Sequence, residues 1–247
     1  MRTNNPALQE RRFAETVAVG QPAMTLQGTA TRSLLLVLLA AFAAAFTWHE
    51  VATGNTGILG PAVLVGGIGG FIVALVTIFK PTMSPWSAPL YAVLEGLLLG
   101  GISAIYDQRF QGLPMQAVGL TFGVFIAMLV LYRTGVLQAT DRFRRGVVAA
   151  TAGIAVMYLL SFVLHVFGVQ MPFLHDSSPL SIGISLVIVG VAAMNLILDF
   201  DLVERGVALR APKYMEWYAA FGLLVTLVWL YLELLRLLSK LQGRGRN

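Results

Sequence analysis

The sequence has no cysteine and little charge. Without a cysteine among its 247 residues, the chain can form neither a disulfide nor a thiolate metal site. Charged residues make up 12% of the chain, about half of the ~25% that is usual in soluble domains. The net charge is +5, and no basic stripe interleaved with aromatic residues is present, which argues against a nucleic-acid partner. A soluble globule of this length could not cover itself with so few polar residues.

Apolar residues are abundant instead, at 57% of the chain with a mean hydropathy of +0.77. They fall in seven runs, each close to the ~20 residues that cross ~30 Å of hydrocarbon as a helix. The runs are Ser33–Trp48, Gly57–Phe79, Trp86–Tyr106, Met115–Tyr132, Gly146–Phe167, Leu180–Leu198 and Trp217–Leu238. The breaks between them are short. We therefore predict an all-α polytopic membrane protein with seven transmembrane helices in a lipid bilayer.

Polar residues flank the apolar region at both ends. We predict a cytosolic N-terminal tail at 1–31, a seven-helix transmembrane domain at 32–240 and a basic C-terminal tail at 241–247. The first segment is mixed in charge, whereas a signal peptide would place an apolar core nearer the start of the chain.

Basic residues predict the orientation. With a cytosolic N-terminus, twelve lysines and arginines lie in cytosolic segments and only Arg109 lies in an outer loop between spans, which is a strong positive-inside signal. Four basic residues near the C-terminus oppose it, namely Arg236, Lys240, Arg244 and Arg246. The seventh run is long enough to span and contains no proline and only one glycine, Gly222. We therefore expect it to cross the membrane.

Two glycine pairs predict close packing between helices. Gly66 and Gly70, and likewise Gly96 and Gly100, have the small-xxx-small spacing that lets helix backbones approach each other in lipid. We interpret these glycines as packing positions, not as the lining of a site.

Four carboxylic residues lie within the apolar runs or at their ends: Glu95, Asp199, Asp201 and Glu233. An ionisable residue inside a span costs about 2.5–3.5 kcal/mol on insertion scales and usually marks a pathway or a relay. Interfacial ion pairs are the alternative for two of them, since Asp201 precedes Arg205 by one turn and Glu233 precedes Arg236. Glu95 has no basic residue within two turns, so it needs a partner from another helix, water or a proton. A cluster of these carboxylates could bind a hard cation when ionised and release it when protonated.

Three stretches carry a resemblance to a known family: Tyr91 to Gly101 (YAVLEGLLLGG), Leu196 to Glu204 (LILDFDLVE) and Leu223 to Leu238 (LLVTLVWLYLELLRLL). The sequence resembles the Bax inhibitor-1/YccA-like family from Thr31 to Lys240. The resemblance implies six helices around a central last helix and a bacterial inner-membrane location. It also implies a pH-sensitive calcium leak controlled by one aspartate on the sixth helix and one on the seventh. Bacterial relatives are further linked to restraint of a membrane-bound ATP-dependent protease.

The aspartate pair carries over only in part. The sixth-helix aspartate matches Asp201, or Asp199 if the register slips by two. Aligning the ending Leu234-Leu235-Arg236-Leu237 with that of the family puts Thr226, which cannot ionise, at the position of the seventh-helix aspartate. Glu233 lies seven residues beyond Thr226, on the same face and about 10 Å further along the axis.

Glu95 offers a replacement for the missing aspartate. Our hypothesis is that this subgroup has rebuilt the acidic site with Glu95 opposite Asp201, where calcium could bind as a permeant ion. We predict no cofactor and no enzyme activity.

Two other classes of function compete with a leak: an intramembrane enzyme, of the zinc or the serine type, and a regulator. A zinc enzyme could use His49, His165 and His175 beside Asp176, but no His-Glu-xx-His pair occurs. A serine protease could use Ser103 with His165, but no Gly-x-Ser-x-Gly surrounds the serine. A regulator without transport activity could act on a membrane partner through its tail at 1–31. Such a regulator should tolerate loss of Asp201, whereas a leak channel should not.

Overall fold

The computed structural model describes residues 23–168, 176 and 178–244, and it is 87% helical. No strand occurs in this part of the chain, which has one isolated bridge between Ala23 and Pro212. The helices are α1 (Leu26–Ala52), α2 (Thr56–Phe79), α3 (Ser84–Arg109), α4 (Leu113–Arg133), α5 (Asp141–Val166), α6 (Pro179–Ala208) and α7 (Met215–Arg244). All seven are long and apolar enough to span a membrane. The predicted all-α, seven-helix architecture is confirmed.

Most helices extend beyond the apolar runs that predicted them. α7 has 30 residues and continues without a break through Gly222, so it is about 45 Å long against a hydrocarbon core of ~30 Å. This length favours a seventh crossing. Residues 1–22 of the N-terminal tail predicted at 1–31 lie outside the described residues. Within the rest of that segment, α1 begins at Leu26.

Side-chain caps and turn residues fix several helix starts. Thr25 caps α1 by accepting a hydrogen bond from the Gly28 amide at 3.0 Å, and Thr140 caps α5 in the same way through Phe143 at 3.3 Å. These caps satisfy backbone amides that have no partner inside the helix. Gly112 takes φ 75° immediately before α4, a backbone conformation that glycine adopts without a steric penalty.

The chain divides into two compact units, and both α6 and α7 pass from one to the other. The described part of the first unit comprises residues 23–108 and 201–225. The described part of the second comprises 109–168, 176, 178–200 and 226–244.

In the first unit α3 packs directly on the backbone of α1. A Cβ atom added at Gly96 would overlap the Ala40 carbonyl, and one added at Gly100 would overlap that of Ala44. Only glycine permits this approach, which replaces lipid contact with helix-to-helix dispersion contact. The predicted packing role of this glycine pair is confirmed.

The other side of α3 packs on α2, where Gly66 belongs to a π-helical turn at Val65–Gly69. A Cβ at Gly66 would lie 2.6 Å from the Leu94 carbonyl oxygen and 2.8 Å from the Leu98 nitrogen. Both neighbours are backbone atoms of a continuous helix, so neither can move without shifting α3.

We expect Gly66→Ala to lower the free energy of unfolding by about 1–3 kcal/mol, the usual cost of overpacking a tight contact. Equilibrium unfolding in detergent micelles measures the change. Gly119→Ala on α4 is the matched control, because its added methyl group would meet nothing within 4 Å. Equal stability of the two variants would contradict the backbone contact.

The last helix is the most buried of the seven. In its most apolar window 67% of the residues are buried, against 56% for α3, 44% for α6 and 6–22% for the other four. This burial is what the predicted central position of the last helix requires.

Candidate functional site

Asp199 on α6 and Thr226 on α7 form a hydrogen-bonded pair in the second unit. Thr226 is buried, and the Asp199 oxygen Oδ2 is buried without a hydrogen-bond partner among the residues that the structure describes. The resemblance put a non-ionisable residue at Thr226 and allowed Asp199 as its partner through a register shift of two. The structure brings these two residues together. A buried carboxylate oxygen with no donor requires a proton, a water molecule or a cation.

Asp201 follows two residues later and belongs to the first unit. Its carboxylate pairs with Arg205 Nε at 2.9 Å, one turn further along α6. The Arg205 side chain is 42% exposed, and such partly exposed pairs contribute only about 0–1 kcal/mol. This is the ion pair that the sequence offered as the interfacial alternative. A gating role for Asp201 stays a prediction.

The charge of Glu233 on α7 is compensated by a neighbouring arginine. It is 2% exposed, accepts a hydrogen bond from the Tyr158 hydroxyl at 2.8 Å and pairs with Arg236 at 3.2 Å through both oxygens. The Arg236 guanidinium also donates to the Tyr158 hydroxyl and lies over the tyrosine ring, 5.0 Å from its centroid. A carboxylate with three donor contacts and a cation has little capacity left for a permeant ion.

Lys240 joins the end of α7 to the start of α6. The side chain is 5% exposed, and its ammonium donates to Ser185 Oγ at 2.8 Å and to the Ser181 carbonyl at 3.4 Å. Just before α6, Asp176 accepts a hydrogen bond from the Ser178 hydroxyl at 2.9 Å. Hydrogen bonds from Ser178 lower the pKa of Asp176, so this exposed carboxylate stays ionised at the positive end of the helix.

Glu95 on α3 lies in the first unit, half-buried against α2. Tyr91, one turn earlier, donates a hydrogen bond to it. The Tyr91 ring packs edge-on against Phe221 of α7, with centroids 4.9 Å apart. A Cβ at Gly70 would lie 3.2 Å from Glu95 Oε2. The predicted opposition of Glu95 and Asp201 stays a prediction.

Glu216, in the first turn of α7, is a buried carboxylate that the sequence did not single out. It is fully buried and accepts hydrogen bonds from the Thr25 amide and the Thr25 hydroxyl, both at 2.9 Å. It also pairs with Lys213 at 2.8 Å and with Arg32 at 2.5 Å. A Cβ at Gly28 would overlap the carboxylate. Two features of the sequence mark Glu216: Lys213 lies three residues earlier, and the glutamate lies beside an apolar run. Both features are too common to predict a buried carboxylate.

The residues that Glu216 holds form an N-terminal strap, defined here as residues 23–25. The strap bridges to Pro212 through Ala23, and the Met24 amide donates to the Ala211 carbonyl at 2.7 Å. The Met24 side chain is 2% exposed. It packs in a cluster with Ala211, Met215, Tyr218 and Ala219. The start of α1 is thereby fastened to the start of α7.

Among the described residues, no group of three or more histidine, aspartate or glutamate side chains could hold a metal ion. His49 and His165 are exposed on α1 and α5 respectively, and His175 falls outside the described part of the chain. Ser103 donates its hydroxyl to the Leu99 carbonyl at 2.6 Å.

Seven apolar helices with isolated carboxylates at depth define the class: an integral membrane protein of the polytopic helical type. A family model described as Bax inhibitor 1 like matches residues 5–243, nearly the whole chain. The chain belongs to this family, as the resemblance predicted, and the family is not an enzyme family. Neither the curated proteins nor the solved structures include a significant match to the chain.

Proposed function

We propose that the protein is a pH-sensitive calcium leak of a bacterial inner membrane, with its N-terminus in the cytosol. The single observation that carries the proposal is the Asp199–Thr226 pair, in which Asp199 Oδ2 is buried and has no hydrogen-bond partner among the described residues. A charge at this depth is costly, so it favours a pathway or a relay over a structural role. Protonation of Oδ2 would remove the charge and leave the hydrogen bond from Thr226 in place. The pair is therefore suited to sense pH.

The replacement of an aspartate pair by an aspartate and a threonine has a consequence for the pH profile. Two neighbouring carboxylates titrate as a coupled pair with two macroscopic steps. A carboxylate beside a hydroxyl takes up one proton. We therefore expect a leak whose pH dependence reflects a single proton.

The interactions near the C-terminus support the orientation. Arg236 and Lys240 are engaged inside the protein, by Glu233 and Ser185 respectively. The charge of Arg236 is therefore compensated by Glu233, which weakens the opposition of the C-terminal segment to the positive-inside signal. What remains favours a cytosolic N-terminus and an outer C-terminus.

Calcium flux into dye-loaded liposomes that contain the purified protein tests the proposal. The flux is measured from about pH 8 to about pH 6, a range in which histidine side chains in general also titrate. Over this range wild-type flux should change by up to about tenfold per pH unit, which is the limit for one proton. Asp199→Asn should abolish this dependence, because the amide keeps the shape of the side chain and cannot ionise.

The matched controls separate Asp199 from its neighbours. A double variant, His49→Gln with His165→Gln, should keep the pH dependence. Asp201→Asn tests whether Asp201 takes the place proposed for Asp199. Flux no greater than in empty liposomes at every pH, from protein that is folded by circular dichroism, would refute the leak.

The N-terminal strap favours a second candidate, a regulator of a membrane partner such as an ATP-dependent protease. Because residues 23–25 are fastened to the start of α7, a partner that pulls on the preceding tail would act on that helix directly. A regulator should retain its effect on the partner in Asp199→Asn and lose it when residues 1–22 are deleted. A leak should show the opposite pattern.

A further inference from the structure

Glu95 is a carboxylate inside a membrane helix without a cationic partner. No residue that the structure describes forms an ion pair with it, and its hydrogen bond comes from Tyr91 on the same helix. A carboxylate can accept about four hydrogen bonds or their equivalent in metal contacts. Most of its coordination capacity is therefore open.

The π-helical turn of α2, at Val65–Gly69, lies beside this carboxylate. Its backbone leaves the regular α-helical pattern, and the Gly70 amide is shared between the carbonyls of Gly66 and Gly67. Glycines occupy 66, 67, 69 and 70, so almost no side chain covers the backbone. Single π-helical turns inside α-helices occur frequently at functional sites.

Two close approaches bring α3 against this backbone, one of them through the Glu95 carboxylate. A Cβ at Gly70 would lie 3.2 Å from Glu95 Oε2, and one at Gly66 would lie 2.6 Å from the Leu94 carbonyl oxygen. The groups that meet here are a carboxylate and the phenol hydroxyl that donates to it, beside the glycine-rich backbone of an irregular helix. Hard cations select oxygen ligands of these kinds, and irregular membrane helices in transporters coordinate sodium through backbone carbonyls.

We propose that Glu95, Tyr91 and the π-helical turn of α2 form a binding site for a monovalent cation, sodium. The site offers a single negative charge, which one sodium ion neutralises. Calcium sites in proteins usually combine several carboxylates among six to eight oxygen ligands. The site shares no residue with the Asp199–Thr226 pair, and its test does not depend on leak activity.

Thermal unfolding of the purified protein in detergent micelles tests the site without any transport assay. Replacing choline chloride with sodium chloride at equal ionic strength should raise the Tm of the wild type by about 2–4 °C, the size expected for about 1 kcal/mol of ligand stabilisation. Glu95→Gln should remove the sodium-dependent shift while remaining at least as stable as wild type in choline. Gly70→Ala, which adds a methyl group against Glu95 Oε2, should reduce the shift.

Glu50→Gln is the matched control, since Glu50 accepts a hydrogen bond from Asn55 at the end of α1, and it should keep the full shift. Equal Tm values of the wild type in sodium and choline would overturn the proposal and leave Glu95 neutralised by a proton. A Glu95-dependent shift with calcium but not with sodium would overturn it as well, because it would assign a divalent ion. A shift that persists in Glu95→Gln would place sodium elsewhere.

Discussion

Glu216→Ala is expected to lower the free energy of unfolding by about 2–3 kcal/mol, because it removes a buried carboxylate with two cationic partners. Removal of one partner from a buried ion pair costs about 3–5 kcal/mol. The expected value is smaller because Arg32 and Lys213, with side chains 24% and 42% exposed, can turn to water after the substitution. The Thr25 amide cannot, since it is fixed at the start of α1.

The loss should spread along the N-terminal strap. Without the carboxylate, the Thr25 amide and hydroxyl lose their shared acceptor. Met24 then depends on one backbone hydrogen bond and on its apolar contacts. We therefore expect protease cleavage near residues 23–25 to accelerate in Glu216→Ala, ahead of global unfolding.

Equilibrium unfolding and limited proteolysis in micelles measure both effects. Glu216→Gln should lose about half as much stability, because its amide oxygen still accepts from Thr25 but no longer neutralises Arg32 and Lys213. Glu50→Ala removes a glutamate with a single hydrogen-bond partner and should cost less than about 0.5 kcal/mol. Stability of Glu216→Ala equal to that of Glu50→Ala would contradict the anchoring role.

The membrane spans were predictable because the hydrocarbon core requires a certain length and an apolar composition of each spanning helix. Each apolar run meets both requirements within its own sequence. The ends were less predictable. α1 begins seven residues before Ser33 because Thr25 caps it and Glu216 holds that cap. That contact joins positions 191 apart in sequence, and no local pattern encodes it. Boundaries that depend on such tertiary contacts have to be observed.

The carboxylates show the same division between local and tertiary information. The pairs Asp201–Arg205 and Glu233–Arg236 lie within one helical turn, so spacing offered them as alternatives. Tyr158 and Lys240 were missed, since their partners lie 75 and 55 positions away. Whether Asp199 or Asp201 meets Thr226 depends on how α6 and α7 are rotated. The two alternatives differ by only two residues in sequence.

Thr226→Asp is expected to restore an acidic pair and to steepen the pH dependence of the proposed leak. The substituted carboxylate would lie against Asp199, and two ionised groups at that distance repel each other. The pair would then share a proton and titrate in two coupled steps. At pH values beyond both steps two protons bind or leave together, so the slope of log flux against pH should rise there from about one in the wild type to as much as about two.

Thr226→Val provides the matched control, because valine keeps the branched shape of threonine and removes only the hydroxyl. It should leave Asp199 without its hydrogen bond and preserve a slope of about one, since the number of titrating groups is unchanged. The double variant Asp199→Asn with Thr226→Asp again holds one carboxylate and should return the slope to about one. If Thr226→Asp keeps the wild-type slope in folded, active protein, Asp199 and residue 226 do not titrate together. The proposed pH-sensing role of the Asp199–Thr226 pair would then be refuted.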